Sequence, residues 1–310
     1  MFLDFISLAE LTTDDILGLL ELSDRLKREH RAGVESKPLE GKTFALIFEK
    51  PSLRTRVTFE AGIFQLGGHG IVLESGQIRL GERESVPDVA RNLERWVDGI
   101  IARTFSHEAV VDLAAHARVP VVNALTDKLH PCQVLADAQT LREHRGDLGN
   151  LKLAFVGDGN NVCASWLNFA ARVPLNVTVV CPKGYEPDPE IVAFAKREAK
   201  GEIVVTHDIE AGVRDADALY TDVWASMGQE DETSARKKIF APFQVNAKLM
   251  SQAKPDAVFL HCLPAKRGLE VTDEVMDGPQ SIVFDEAENR LHAQKAILVK
   301  LIENNAGAAR

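Results

Sequence analysis

The sequence predicts an α/β protein of two domains, each a parallel sheet flanked by helices. Three observations predict the two sheets. Short apolar runs alternate with longer helical patterns along the chain, as in a sheet whose strands are joined by helical crossovers. A polar segment with two glycines, "EHRGDLGN" at 143–150, separates two halves that each hold such a series. The 310 residues are enough for two cores of ordinary size.

In the first half, strands are expected near 43–48, 70–73, 99–104 and 120–124. In the second half they are expected near 151–156, 177–181, 203–206, 218–222, 257–261 and 282–284. A closing helix over about 290–304 carries Leu291, Ile297, Leu298, Leu301 and Ile302 at helical spacing. The stretch 224–243 lacks a strong period in its first part and is expected to be a mobile loop.

Hydrophobic residues make up 45% and charged residues 26%, the balance of a globular protein. The formal net charge of -10 argues against nucleic acid as a partner, although a locally basic pocket can still hold a small anion. Cys132, Cys163, Cys181 and Cys262 are far apart in sequence. Neither a metal site nor a disulfide framework is expected, and a reducing compartment is. The opening "MFLDFISLAELTTDD" has no basic start and turns acidic, so no signal peptide is expected. No apolar run is long enough to cross a membrane. The expectation is a soluble, cytoplasmic protein.

Three strand ends in the first half deliver polar groups. "FALIF" is followed by Ser52, Arg54, Thr55 and Arg56; "GIIARTF" carries Arg103; "VPVVNAL" is followed by His130, Pro131 and Gln133. Open parallel sheets bind ligands beyond the carboxyl ends of their strands, so these groups are expected to share one edge. Ser52 is placed as a helix N-cap, with the amides of residues 53–55 turned outward, a combination that suits phosphate. The arginines add permanently charged planar donors. Pro131 fits the first position of the next helix, which His130 could cap. From a helix start at Ser52, Leu53, Val57, Ala61 and Phe64 fall on one face. Leu53 is therefore expected to pack inward while its amide faces the anion.

The second half offers "VGDGNN", a strand-to-helix turn with Gly157 and Gly159 but no third glycine. The next strand ends in Cys181 and Pro182 rather than an acidic residue, so dinucleotide binding is not expected. Asn160 and Asn161 open the following helix. Asp222, with Ser226 and Met227, follows another strand, and His261, Cys262, Leu263 and Pro264 follow a third. An Asp beside Asn and Ser suits the ammonium and carboxylate of an amino acid.

These residues resemble the transcarbamylase family over nearly the whole chain. "SLRTR" is similar to its phosphate motif and "HPCQ" to its carbamoyl motif; "DVWASMG" and "HCLP" resemble the motifs of its ornithine branch. An aspartate-specific member would show proline in place of Cys262 and lack Ser-Met-Gly. "ENRLHAQKA" resembles the closing arginine segment. Leu53 replaces the usual Thr, so one hydroxyl is missing from the motif.

The resemblance implies a carbamoyl-phosphate-binding domain over 1–146, with the C-terminal helix at about 290–306 packed back on it. It implies an ornithine-binding domain over 147–289. It also implies an active site in the interdomain cleft, and a homotrimer in which a loop residue, here Gln77 or Arg79, reaches a neighbouring site. The implied reaction is transfer from carbamoyl phosphate to L-ornithine, giving L-citrulline and phosphate in arginine biosynthesis. Ser52, Leu53, Arg54, Thr55, Arg103, His130, Gln133, Cys262, Leu263 and Arg290 would hold carbamoyl phosphate; Asn161, Asp222, Ser226 and Met227 would hold ornithine. Arg54, Arg103, His130 and Cys262 would be catalytic. Whether Cys262 takes a proton or only positions the amine stays open. No metal or organic cofactor is implied. Three rival readings stand beside this one: another amine as acceptor, a non-catalytic anion-binding subunit, and a hydrolase using Cys262 with His261.

Overall fold

The computed structural model describes residues 1–74, 78, 80–225 and 233–306. Gln77, Arg79, Ser226 and Met227, named above, lie outside the described residues. The chain runs α1 (Thr13–Arg31), β1 (Thr43–Phe48), α2 (Leu53–Gln65), β2 (His69–Glu74), α3 (Val86–Leu93), β3 (Gly99–Arg103) and α4 (His107–His116). It continues with β4 (Val121–Leu125), α5 (Pro131–Arg145), β5 (Lys152–Val156), α6 (Asn161–Ala170), β6 (Asn176–Val180), α7 (Pro189–Glu198) and β7 (Ile203–Thr206). Then come α8 (Ile209–Val213), β8 (Ala218–Thr221), α9 (Thr233–Phe240), α10 (Ala247–Met250), β9 (Val258–Leu260), α11 (Asp273–Met276) and α12 (Val283–Asn305).

Two compact units result. Unit 1 comprises Met1–Gln139 and the segment from Glu288, and unit 2 comprises Thr140–Ala287. The chain passes between these units inside α5 and again inside α12. Unit 1 holds a parallel sheet ordered β2-β1-β3-β4, and unit 2 one ordered β7-β6-β5-β8-β9. The central strands are apolar because helices cover both faces. β1 is buried from Phe44 to Phe48, whereas β2, at the sheet edge, alternates between exposed and half-buried. Each order reverses direction once, between β1 and β3 in unit 1 and between β5 and β8 in unit 2. Parallel sheets open a crevice at such a reversal.

Three sequence expectations fail here. No strand forms at 282–284: the chain makes one bridge, Ser281 to Phe259, and enters α12 at Val283. Asp285 and Glu286 in the first turn favour that start, so the closing helix begins well before 290. Within 224–243, Thr233–Phe240 is helical rather than loop.

The third failure is the Leu53 face. α2 buries Thr55, Phe59, Gly62 and Ile63, while Leu53 is 75%, Val57 54% and Phe64 80% exposed. The helical spacing was real, but the stripe points away from the core of its own unit. Phe59 and Ile63 supply the anchors instead.

α12 carries polar groups inward within unit 1. Lys27 Nζ donates to Asn289 Oδ1 at 2.7 Å and Lys295 Nζ to Gln65 Oε1 at 2.7 Å. His292 is buried against His30, ring centroids 5.7 Å apart, and neither of its ring nitrogens has a hydrogen-bond partner. Burial, then the nearby Lys295 and Lys27, lowers its pKa to about 4. An unfolded histidine takes its proton near pH ~6.5. Between that pH and about 4 the unfolded chain therefore binds more protons, and stability falls as pH falls. His292→Leu is expected to shrink the loss of Tm between neutral pH and about pH 4.5. An unchanged loss would assign it to other groups.

Candidate active site

In unit 1 the reversal between β1 and β3 collects the cations. Ser52 caps α2, its hydroxyl accepting the Thr55 N–H at 3.2 Å. That amide is therefore satisfied within the helix and is not one of those turned outward. Thr55 is buried, and its hydroxyl oxygen accepts from two guanidinium groups, Arg103 Nη1 at 3.3 Å and Arg290 Nη2 at 3.0 Å. β3 ends on Arg103, beside a register shift at Ala102/Arg103. Arg290 comes from α12, and its Nη1 also donates to Gln133 Oε1. Gln133 in turn donates Nε2 to the buried Asp137 Oδ1 at 2.7 Å, one helical turn along α5.

His130, which immediately precedes α5, is buried in the same place. Burial, then Arg290, Arg103 and Arg54, holds its pKa well below the usual histidine value. Near neutral pH its imidazole is therefore uncharged and can donate from one nitrogen only. Positive charge is concentrated here: Arg103 and Arg290 share one hydroxyl, and Nε of Arg290 is buried without a hydrogen bond. Such an arrangement is costly unless an anion completes it. Lys50, just ahead of Ser52, is nearly buried with its ammonium 4.4 Å from the Phe105 ring centroid. Arg56 does not join the cluster; it is exposed and paired with Glu60 at 2.8 Å and Glu74 at 2.6 Å.

In unit 2 the reversal between β5 and β8 collects an acceptor set. Asp222 follows β8 and is mostly buried. Its carboxylate accepts the Val223 N–H at 2.8 Å, Asn160 Nδ2 at 2.7 Å and the Cys262 thiol at 3.1 Å. A carboxylate only accepts, so the Cys262 sulfur keeps its proton in this arrangement. Asn160 is the N-cap of α6, its Oδ1 accepting from Val162 and Cys163. Asn160, rather than Asn161, is thus the residue that braces Asp222; Asn161 is the first residue of α6.

Gly159 has a packing role. A Cβ there would lie 2.2 Å from the Pro187 nitrogen, so the turn is small because the 185–187 segment crosses it. The donor atoms of Asp222, His261 and Cys262 lie within 4.8 Å of one another, but each is engaged in hydrogen bonds. His261 Nδ1 accepts the Leu263 N–H and Nε2 faces Glu270. Both ring nitrogens of His261 are taken by these partners, which argues against the hydrolase reading.

Sequence reasoning missed Asp137, Asn160 as a brace, and the His261–Glu270 pair. Asp137 is four residues after Gln133, a spacing that places both on one helix face. Asn160 stands where an N-cap is expected.

Residues 3–143 match the family domain described as aspartate/ornithine carbamoyltransferase, carbamoyl-P binding domain. Residues 149–301 match its Asp/Orn binding domain. The chain belongs to the aspartate/ornithine carbamoyltransferase family. It is 52% identical over 305 residues to the ornithine carbamoyltransferase of Chlorobaculum tepidum, covering 97% of this chain and 90% of that one. It is 51% identical to that of Thermococcus kodakarensis, covering 95% of each. Among solved carbamoyltransferase structures, the ornithine enzyme of Pyrococcus furiosus matches with a TM-score of 0.93 at 49% identity, covering 95% of both chains. The anabolic ornithine carbamoyltransferase of Campylobacter jejuni matches with a TM-score of 0.92 at 38% identity, covering 98% of this chain and all of that one. In carbamoyltransferase terms, the unit 1 cluster lies in the 3–143 match except for Arg290, which falls with the whole unit 2 cluster in the 149–301 match. Among the described residues no helix is long and apolar enough to cross a membrane.

Proposed function

We propose that this chain transfers the carbamoyl group of carbamoyl phosphate to the side-chain amine of L-ornithine, giving L-citrulline and phosphate. The observation that carries the reading is the buried cation cluster at the unit 1 reversal, which calls for a small, highly charged anion. Ser52, Thr55, Arg54 and the amide of Leu53 hold the phosphate. Arg103, His130 and Gln133 surround the carbamoyl group, where negative charge grows on oxygen as the amine attacks. Arg290 adds charge beside Gln133.

The amine nitrogen bonds to the carbamoyl carbon, the carbon–oxygen bond to phosphate breaks, and phosphate leaves with the electron pair. An alkyl ammonium has a pKa of about 10.4, so the ornithine amine sheds a proton before it can attack. Cys262 and the Leu263 backbone orient that amine, while Asp222, Asn161, Ser226 and Met227 hold the α-amino acid end. Carbamoyl phosphate is already activated, and the reaction needs no metal or organic cofactor.

The carbamoyl-phosphate-binding domain is 1–146 with the C-terminal helix, and the ornithine-binding domain is 147–289; the break between the family matches at 143 and 149 and the grouping of the segment from Glu288 with unit 1 support this division. The role proposed is cytoplasmic and biosynthetic, in arginine metabolism; its biosynthetic direction is in keeping with the anabolic Campylobacter jejuni relative. Assembly as a homotrimer is supported by the exposed Leu53, Val57 and Phe64 on α2, a face of the kind that marks subunit contacts. Light scattering during size-exclusion chromatography is expected to give the mass of three chains, and a monomer would overturn that assembly.

Citrulline-type product formation is the direct test, with ornithine, putrescine, N-acetylornithine and aspartate assayed in parallel against carbamoyl phosphate. Ornithine is expected to be preferred by at least about 100-fold in kcat/KM, because a site built for polar groups rejects analogues that leave them unpaired. Preference for another amine would reassign the acceptor, and no product from any of the four would overturn the reaction.

A further inference from the structure

Behind Cys262 lie a buried imidazole and a buried carboxylate that the reaction as written does not use. His261, directly after β9, and Glu270 are both fully buried. Nδ1 of His261 is 2.9 Å from the Leu263 amide nitrogen, and Nε2 is 3.3 Å from Glu270 Oε1. The same Glu270 oxygen accepts the Lys266 N–H, and the His261 amide donates to Glu286 Oε2 at 2.9 Å. The two partners fix the tautomer. A proton on Nδ1 would set two donors against each other and leave the carboxylate facing a lone pair.

Leu263 has φ 58°, in the left-handed region that a residue with a large side chain enters only when its surroundings hold it there. The bond from Leu263 N–H to His261 Nδ1 is such a hold. It spans Cys262, the residue between them, whose thiol reaches Asp222 at 3.1 Å.

We propose that His261 and Glu270 are positioning residues for carbamoyl transfer. Glu270 accepts the Nε2 proton of His261, so Nδ1 is left to accept the Leu263 N–H. That bond sets the turn which presents the Cys262 thiol and the Leu263 backbone to the attacking amine. The inference rests on the carbamoyl-transfer reading and adds to it two side chains that touch no substrate.

The test uses two amides that each keep half of the imidazole's contacts. In His261→Asn the side-chain oxygen falls about where Nδ1 was and can still accept the Leu263 N–H. In His261→Gln the amide reaches toward Glu270 and the Leu263 N–H loses its acceptor. His261→Gln is expected to lower kcat for citrulline by about 100-fold, the loss typical of a misplaced reactive group. His261→Asn is expected to lose about tenfold or less, and KM for carbamoyl phosphate should stay within about twofold in both.

Activity losses that are equal in the two variants and simply follow Tm would show a structural role only and overturn the proposal. Long-range proton–nitrogen NMR on the unmutated protein supplies a second readout. Nδ1 of His261 should show as the unprotonated nitrogen, and protonated Nδ1 would overturn the assignment. If the unmutated protein made no citrulline, the reaction would fall, while the nitrogen spectrum would still decide the tautomer and its contact with Leu263.

Discussion

Arg103→Met is expected to lower kcat/KM for carbamoyl phosphate by on the order of 10³, since loss of a single preorganised donor at a developing oxyanion already costs 10²–10³. The fold should survive. Arg103 is nearly buried, and with Arg290 it shares the one Thr55 hydroxyl; methionine fills similar space without the charge. Removing a cation from a site crowded with cations relieves repulsion, so Tm is expected to hold or rise even as activity collapses. A second readout separates this from damage. Arg103 is one of the groups that depress His130, after burial and Arg290. In the variant, the His130 pKa should therefore move upward toward the ordinary value of about 6.5. Near wild-type kcat/KM would remove Arg103 from the carbamoyl phosphate site. Lost activity with a lowered Tm would point to a broken fold instead.

The parts of the molecule legible in the sequence share one physical basis. β1, β3, β4, β5 and β8 are short, largely apolar runs with polar residues at or just beyond their ends, and the end of a parallel strand is where a ligand site forms. Knowing only the strand ends was enough to bring Ser52, Arg103 and His130 together. What escaped was orientation about an axis. The stripe of Leu53, Val57 and Phe64 was correctly periodic, but α2 carries two apolar stripes, and the buried one holds Phe59 and Ile63. Periodicity does not say which stripe meets the core of its own unit. The 282–284 run failed similarly: three apolar residues fit either a strand or the first turn of α12, and length alone could not decide. The bracing residues were hidden for another reason. Asp137, Asn160 and Glu270 matter through the side chains they contact, and apart from the Gln133–Asp137 spacing those contacts are tertiary.

Asp222→Asn carries the other large expected effect, and it falls on the amine rather than the anion. The carboxylate accepts from Asn160, Val223 and Cys262 at once. An asparagine has a single acceptor oxygen and presents an NH₂ group in place of the other. Whichever way the new amide turns, it sets a donor against the Asn160 amide or against the Cys262 thiol and the Val223 N–H. It also loses the negative charge that a cationic amino acid group would meet. Hydrogen bonds to charged groups contribute roughly 1.5–3 kcal/mol each, so KM for ornithine is expected to rise by about 100-fold. KM for carbamoyl phosphate should change by no more than about twofold, because the phosphate and carbamoyl donors assigned in unit 1 are untouched. Initial rates across a matrix of both substrates give the two constants separately. Equal rises in both would show that Asp222 does not belong to the ornithine subsite, and an unchanged ornithine KM with reduced kcat would move it to the transfer step itself.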